Sequence, residues 1–333
     1  MSRPLQIIFF GADAIALPLL DWIAGEGASL ARIIAVWTQP DRPAGRGQQV
    51  VPNAIKAWAT ARGLPVFQPE KLTESARLEL AAREADLGLV MAYGHILRDD
   101  FIATPRLGML NLHTSILPLF RGASPIQSAI ASGERETGVT LMRIVRRLDA
   151  GPVAAVARVA VSAEDTSLEV EAKLAAASVA LVAGALPLLR AGTLVFSEQV
   201  ESAASYCRKL AKEDGGLDFA ESAHCLAARV NGLYPWPACT VELAGQTIKL
   251  GLAEAWADIH GGRPTSGRPG EVLGADAEAL WVATGAGVLR LRKLQRPGGR
   301  MLAASDFLRG FAVPAGTIIA SRAMRELVTR RTV

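Results

Sequence analysis

A short segment of the sequence places an amide and an imidazole two residues apart. The segment from Gly108 to Pro118 reads GMLNLHTSILP, so Asn111 and His113 lie near the end of a predicted strand that runs into a loop. Side chains two positions apart in a strand point to the same face of the sheet. Such a pair could bind a developing oxyanion and move a proton. A structural, hydrogen-bonded histidine beside a strand-terminal Asn is the alternative that this spacing leaves open.

An aspartate lies in a turn further along the chain. The segment RLDAG places Asp149 two residues before Gly151. Asp-x-Gly in a loop usually serves the turn itself, because the carboxylate accepts hydrogen bonds from nearby backbone groups. Taken alone, this residue therefore indicates turn chemistry.

The elements that must position these residues alternate along the first half of the chain. Apolar runs predict strands at Leu5–Phe10, Ile33–Thr38, Leu87–Ala92 and Gly108–His113. Helical spacing predicts helices at Leu17–Ala24, Asn53–Arg62, Ser75–Glu84, Pro125–Ser132 and Ser167–Leu189. This alternation is typical of an α/β domain with a Rossmann-like parallel sheet. The turn after the first strand lacks the Gly-x-Gly-x-x-Gly pattern, so no dinucleotide cofactor is expected.

The pattern changes in the second half of the chain. Short β-like runs between glycines lie at Thr240–Leu243, Thr247–Leu252, Ala279–Val282 and Val288–Leu294. These runs predict a small antiparallel β-barrel of the OB-like type. We expect a catalytic domain over residues 1–190, a linker over 191–205 and a barrel domain over 206–333.

Composition narrows the class of protein. Hydrophobic residues make up 50% and charged residues 20% of the chain, and the three cysteines show no Cys-x-x-Cys spacing. These values predict a globular, cytoplasmic protein with reduced thiols and no cysteine zinc site. The N-terminus lacks a signal-peptide pattern, and the apolar stretch 175–189 is shorter than the ~20 residues that a bilayer span needs. We therefore expect no membrane anchor.

Positive charge is concentrated near the C-terminus. The net charge is +4, and the segment from Arg290 to Arg331 holds ten basic against two acidic residues. Such a patch can neutralise nucleic-acid phosphates, and an ordinary solvated basic face would have the same composition. The residues that we expect to contact a polyanion are Arg292, Lys293 and Arg296.

Several longer runs together resemble one enzyme family. NLHTSILPLFRGASPIQSAIASGERETGVTLM, followed by RRLDAGPV, is similar to the catalytic signature of the tetrahydrofolate-dependent formyltransferases. KLAKEDGGLDF, RVNGLYPWPACT and LQRPGGRMLAASDFLRG resemble, in order, the second domain of the members that act on charged tRNA. The resemblance extends from the first strand to the region of Gly316.

This resemblance implies a reaction and a site. The reaction is transfer of the formyl group of 10-formyltetrahydrofolate to the α-amine of initiator methionyl-tRNA, without a metal or redox cofactor. Asn111 and His113 would bind the oxyanion, and Asp149 would orient and charge His113 and help to remove a proton from the amine. The residues implied to line the folate site are Ser115, Ile116, Leu117 and Pro118.

The connection from Thr38 to Pro52 is unusually long. Its sequence, TQPDRPAGRGQQVVP, spans about fifteen residues where connections usually take about 2 to 6, and long loops of this kind are often functional. It resembles the loop of the tRNA-acting formyltransferases that enters the acceptor stem. The resemblance implies that Arg42 reads the stem end, with Arg46 nearby. Two solvated arginines on an exposed loop are the alternative.

The sequence departs from the family pattern at a few positions outside the implied catalytic residues. Ala12 and Ile15 replace a usual Thr or Ser and a Phe, Ile116 replaces a Leu, and His95 replaces an apolar residue. His95 is either a contact at the rim of the implied pterin pocket or an exposed substitution, and we favour the exposed substitution. Glycinamide ribonucleotide formyltransferase is the alternative enzyme, although it would need neither the Arg42 loop nor a basic second domain. A non-catalytic RNA-binding relative is the other alternative. We expect a monomer.

Overall fold

The structure is a computed structural model that describes residues 3–44, 49–256 and 267–330. It divides into two compact units. The first comprises Met1–Arg121, Gly138–Val159 and Glu171–Ala204. The second comprises Gly122–Thr137, Ala160–Val170 and Ser205–Val333. The sequence-based division differs from this one, because it assigned 122–137 and 160–170 to the first domain and treated 191–205 as a linker.

A seven-stranded sheet carries the sequence-predicted strands of the first half. The strands before residue 161 are β1 (Leu5–Phe10), β2 (Ala31–Trp37), β3 (Arg42–Ala44), β4 (Gln49–Val51), β5 (Val66–Phe67), β6 (Leu87–Val90), β7 (Met109–His113), β8 (Arg121–Gly122), β9 (Glu136–Arg143) and β10 (Val153–Ala160). The sheet order is β10-β9-β7-β6-β1-β2-β5. Pairing is parallel from β5 to β7, and β9 joins β7 in antiparallel orientation. The sheet buries its centre on both faces, since Ile7 to Phe10 are all 0% exposed.

Helices connect these strands. They are α1 (Leu17–Ala24), α2 (Ala54–Thr60), α3 (Glu74–Ala81), α4 (Asp99–Ile102), α5 (Pro125–Ala131) and α6 (Ser167–Ala191). Asn53 caps α2 by accepting a hydrogen bond from the Lys56 amide at 3.0 Å, and Thr73 caps α3 in the same way. Helix α6 is long and apolar enough to cross a membrane by length and composition, and 44% of its apolar window is buried inside the protein. A buried core helix passes the same test of length and composition.

The second unit contains an antiparallel sheet. Its elements from residue 206 onward are β11 (Tyr206–Cys207), α7 (Ala223–Leu233), β12 (Thr240–Leu243), β13 (Gln246–Trp256), β14 (Val272–Ala275), β15 (Leu280–Ala283), β16 (Val288–Gln295), β17 (Leu302–Ala303), α8 (Ala304–Gly310) and β18 (Val328–Thr329). A sheet of order β12-β13-β16-β15-β14, with β17 beside β16, curls as a half-barrel around a core that includes Leu226 and Leu291. The predicted fold class, an α/β domain followed by a small barrel-like domain, is confirmed.

Helix α5 belongs to this second unit because it packs closely on α7. A Cβ added to Gly232 of α7 would lie 2.5 Å from the Ala131 amide nitrogen of α5, so the two backbones touch where only glycine fits. Asn231 also fixes the segment before α6, because its amide donates to the Ala163 carbonyl at 3.1 Å. These tertiary contacts leave no trace in a local sequence pattern.

The structure contains strands that the sequence analysis missed. The connection from Thr38 to Pro52 was predicted to be an unstructured loop, but β3 and β4 pair within it, with Arg42 opposite Val51. Strands β9, β10 and β14 were also missed. In β10, partly buried and exposed residues alternate only from Ala155 onward, and four of the eight residues are alanine, so its apolar signal is weak. All three cysteines are free.

Candidate active site

Asn111 and His113 lie at the carboxyl end of strand β7, where the strand ends and a loop begins. The strand lies between β6 and β9, with Asn111 opposite Met142 and His113 opposite Thr140. His113 is 6% exposed, and Asn111 is half-buried. The alternation of side chains places both residues on the same face, as the sequence spacing predicted.

The imidazole of His113 has a polar group at each nitrogen. Its Nε2 lies 2.9 Å from the Phe120 carbonyl oxygen. Because a carbonyl only accepts, this hydrogen bond requires a proton on Nε2. Its Nδ1 lies 3.7 Å from a carboxylate oxygen of Asp149. A proton arriving at Nδ1 would face that negative charge, which stabilises it electrostatically.

Backbone geometry places the Asp149 carboxylate. Asp149 has φ +49°, in the left-handed region that non-glycine residues seldom adopt. Two residues on, a Cβ at Gly151 would lie 1.9 Å from the Arg143 carbonyl oxygen, so only glycine permits this close return of the loop. The amide of Gln199 donates to the carbonyl oxygens of Asp149 and Gly151, each at 2.8 Å. The Asp149 loop, residues 147–151, is therefore fixed by hydrogen bonds as well as by its own turn.

A buried arginine lies behind that amide. Arg121 is 0% exposed, and its Nε and Nη2 donate to Gln199 Oε1 at 3.1 and 2.8 Å. Its Nη1 donates to the Glu201 carboxylate at 3.0 Å. The hydrogen bond from Arg121, with a second from Arg147, lowers the pKa of Glu201 although partial burial opposes the shift. We call Arg121, Gln199 and Glu201 the Arg121 network.

The residues implied to line the folate site form a tightly held loop after β7. Thr140 Oγ1 donates to the Ser115 carbonyl at 2.6 Å and accepts from the Leu117 amide at 3.1 Å. Ser115 is fully buried and donates its hydroxyl to the Leu119 carbonyl. Leu117 is buried and is followed by a cis peptide bond to Pro118, whereas Ile116 and Pro118 are partly exposed.

The β3–β4 hairpin presents Arg42 on an exposed strand. The neighbouring Asp41 accepts hydrogen bonds from Lys56 and Gln68, and these lower the pKa of its carboxyl. His95, which we expected to be exposed, is half-buried against the Tyr93 ring. Burial and then the charge of Arg42 lower the pKa of His95. Arg46 lies outside the described residues.

The predicted basic contacts on β16 lie in different environments. Arg292 forms an ion pair with Glu254 and is partly buried. Lys293 is exposed, at a point where the pairing of β16 with β13 is irregular. Arg296 is exposed and lies over the Phe311 ring at 5.3 Å. Arg290, which the composition count included in the basic segment, is 5% exposed and paired with Glu254 and Glu278. Burial and ion pairing therefore reduce the exposed positive charge of this segment.

Sequence analysis missed the residues that hold the site in place. Gln199 and Glu201 carried no local signal, and Arg121 and Thr140 appeared only inside the family-like run. An arginine between Phe120 and Gly122 in an otherwise apolar segment is the one feature that indicates a buried, hydrogen-bonded role. Among residues 3–44, 49–256 and 267–330, no group of His, Cys, Asp and Glu is suited to hold a metal ion.

Comparisons with known proteins agree with this fold. The formyl transferase family matches residues 5–186, and the formyl transferase C-terminal domain matches residues 209–312. The chain therefore belongs to the formyl transferase family and is a formyl-transferring enzyme. Within that family it is 43% identical over 307 residues to the methionyl-tRNA formyltransferase of Ectopseudomonas mendocina (strain ymp). This alignment covers 92% of the present chain and 95% of that protein. The resemblance inferred from the motifs is confirmed.

Solved structures show the same fold at low sequence identity. HypX from Aquifex aeolicus in complex with tetrahydrofolic acid aligns with a TM-score of 0.60 and 17% identity. That alignment covers 92% of this chain, and this chain spans 47% of the HypX chain. The N-formyltransferase from Helicobacter canadensis aligns with a TM-score of 0.62 and 14% identity over 88% of this chain and 100% of that chain. Enzymes of this family use formyl-tetrahydrofolate as the formyl donor.

Proposed function

We propose that this chain transfers the formyl group of 10-formyltetrahydrofolate to the α-amine of methionine on initiator tRNA. The observation that carries the proposal is the His113 ring held between the Phe120 carbonyl and the Asp149 carboxylate, next to Asn111 on β7. This arrangement supports acyl transfer, because it combines hydrogen-bond donors with a charge that stabilises a proton. The 43% identity to a methionyl-tRNA formyltransferase supports the choice of acceptor.

The proposed roles follow from charge changes during transfer. A bond forms between the amine nitrogen and the formyl carbon, the bond from that carbon to N10 breaks, and a proton passes from the amine to N10. The Nε2 proton of His113 is held by the Phe120 carbonyl, so the ring donates to the oxyanion of the tetrahedral intermediate through a proton on Nδ1, and Asn111 supplies the second donor. Asp149 stabilises positive charge on that ring and helps to remove the amine proton.

The loop after β7 is suited to hold the folate donor. The Ser115 carbonyl and the Leu117 amide are already hydrogen-bonded to Thr140, so these bonds hold the loop in place before any ligand binds. Such preorganisation reduces the entropy lost on binding. We assign the donor site to residues 115–118, beside His113.

We assign acceptor binding to two exposed basic regions. Arg42 lies on the β3–β4 hairpin, and Lys293 and Arg296 are exposed at the end of β16. Exposed cations of this kind neutralise phosphates. Arg46 belongs to the same proposal through its place in the sequence between β3 and β4. The protein acts as a monomer in the cytoplasm, where charged tRNA is present.

A formylation assay tests the proposed function against its alternatives. Purified protein and 10-formyltetrahydrofolate are incubated with initiator methionyl-tRNA, elongator methionyl-tRNA or glycinamide ribonucleotide, and each product is quantified. Formylation of the initiator tRNA above the other two acceptors supports the proposal. Formylation of glycinamide ribonucleotide alone would show the alternative enzyme, and tRNA binding without any formylation would show a non-catalytic relative.

A further inference from the structure

Arg121 is a fully buried charge that the proposed reaction does not use directly. Its guanidinium donates hydrogen bonds to Gln199 and Glu201, and the side chain is 0% exposed to solvent. Removing a guanidinium from water is unfavourable unless its donors are well satisfied. The burial of a charged side chain at position 121 therefore needs an explanation. The groups that accept its hydrogen bonds supply it.

The hydrogen bonds of Arg121 determine how the Gln199 amide is oriented. Oε1 of Gln199 accepts from Nε and Nη2 of Arg121, at 3.1 and 2.8 Å. The amide nitrogen must then point the opposite way, where it donates to the carbonyl oxygens of Asp149 and Gly151. Donors lie on one side of the amide and acceptors on the other, so a flipped amide would lose all four bonds.

The segment that carries Gln199 is itself anchored. Ser197 and Val153 exchange backbone hydrogen bonds at 2.8 and 2.9 Å, just before Gln199 in sequence. Glu201 accepts from both Arg121 and Arg147, and Arg147 belongs to the Asp149 loop. The loop is therefore held at its first residue by Glu201 and at its third and fifth residues by Gln199.

We propose that the Arg121 network is a positioning device that keeps the Asp149 carboxylate facing Nδ1 of His113. The inference rests on the proposed function. The network stabilises the left-handed backbone at Asp149, and this backbone aims the side chain to a point 3.7 Å from Nδ1. The proposed reaction requires none of the three residues to touch substrate, so Arg121, Gln199 and Glu201 are positioning residues that act through Asp149.

The substitution Gln199→Glu tests the network most directly. The new carboxylate still accepts from Arg121 but cannot donate to the carbonyls of Asp149 and Gly151. We expect kcat to fall about 10- to 100-fold, because a misplacement of about 1 Å can cost about 10²-fold. KM for the folate donor and for the tRNA should change less than about 2-fold. Glu198→Gln, an exposed neighbour, is the matched control and should retain wild-type kcat.

A double-mutant cycle distinguishes positioning from a general structural role. If Gln199 acts through Asp149, adding Gln199→Glu to Asp149→Asn should lower kcat by less than about 2-fold further. Multiplicative losses, or an unchanged kcat in Gln199→Glu, would overturn the inference. If Gln199→Glu does not fold, as judged by thermal unfolding, Glu201→Gln takes its place in the same cycle with the same criteria. An inactive wild-type protein would instead contradict the proposed function, so the two failures are distinguishable.

Discussion

Basic side chains are used in two opposite ways in the Asp149 region and on the surface at the end of β16. In the first region, Arg121 is completely buried and its donors are directed at Gln199 and Glu201. Lys293 on β16 and Arg296 just after it are exposed and make no ion pair within residues 3–44, 49–256 and 267–330. A buried guanidinium fixes geometry through directed hydrogen bonds, whereas exposed cations contribute charge that is screened by salt.

The two regions should therefore respond differently to substitution. Removing one partner of a buried charge typically costs about 3–5 kcal/mol, whereas an exposed ion pair contributes about 0–1 kcal/mol. Arg290 shows that the second unit also contains the buried kind, and the partly buried Arg292 shares its partner Glu254. Sequence position within the basic segment therefore does not tell which role an arginine has, and burial does.

The largest expected effect is at the catalytic residues of the first region. His113→Ala or Asp149→Asn should lower kcat by about 10²–10⁴, because each removes a group that acts on charge developing during transfer. Binding of initiator tRNA should remain near wild type. Single-turnover formylation and filter binding measure the two quantities. Either variant retaining more than about a third of the wild-type kcat would contradict these roles.

The second effect concerns the exposed hairpin. Arg42→Ala should lower kcat/KM for initiator methionyl-tRNA about 10- to 100-fold, because a hydrogen bond to a charged group contributes about 1.5–3 kcal/mol. Binding of tetrahydrofolate, measured by calorimetry, should be unchanged. Arg32→Ala, at an exposed arginine on β2, is the matched control. A parallel loss of folate binding would indicate that Arg42 supports the fold of the first unit instead of contacting tRNA.

The strands buried on both faces could be predicted from the sequence almost to the residue. Leu5–Phe10 was predicted and is observed as β1, because a continuous apolar run between polar segments has few other structures available. Asn111 and His113 were also predicted correctly as neighbours on one face, since strand geometry alone sets that relation. The pairing with Asp149 came from the resemblance to a family and from no local pattern.

The Arg121 network could not be predicted for a physical reason. Gln199 is 78 residues from Arg121 and 50 from Asp149, so no helical or strand period connects them. The stretch around Gln199 contains Gly, Ser and Ala and was interpreted as a linker. The position of Gln199 beside Asp149 is apparent only in the folded chain, because Val153 at the start of β10 pairs with Ser197. Long-range hydrogen bonds of this kind require the folded chain.

A third effect tests whether a buried ion pair of the second unit depends on pH. The hydrogen bond from Arg208 lowers the pKa of Asp214 below its ordinary 3.8, although burial opposes the shift. A lowered folded pKa contributes stability above the unfolded pKa, and this stability is lost as pH falls through the folded value. Arg208→Gln should therefore lower the free energy of unfolding by about 2 kcal/mol at pH 7. Urea unfolding should show a smaller difference between variant and wild type near pH 3, and an equal difference at both pH values would exclude this linkage.

The smallest effect separates two neighbouring residues of β16. Lys293 is exposed, whereas Arg292 is already neutralised by Glu254. Each cation that neutralises a phosphate contributes about 0.7 to 0.9 to the slope of log affinity against log salt concentration. Lys293→Gln should flatten this slope for tRNA binding by about that amount, and Lys293→Gln with Arg296→Gln by about twice as much. Arg292→Gln should leave the slope unchanged, because the charge of Arg292 is already paired with Glu254.

Filter binding at several salt concentrations, with initiator and elongator tRNA alike, measures these slopes. If Arg292→Gln flattened the slope as much as Lys293→Gln, exposure would not decide which basic side chains contact phosphate. The contrast between ion-paired and exposed basic side chains would then fail for this surface.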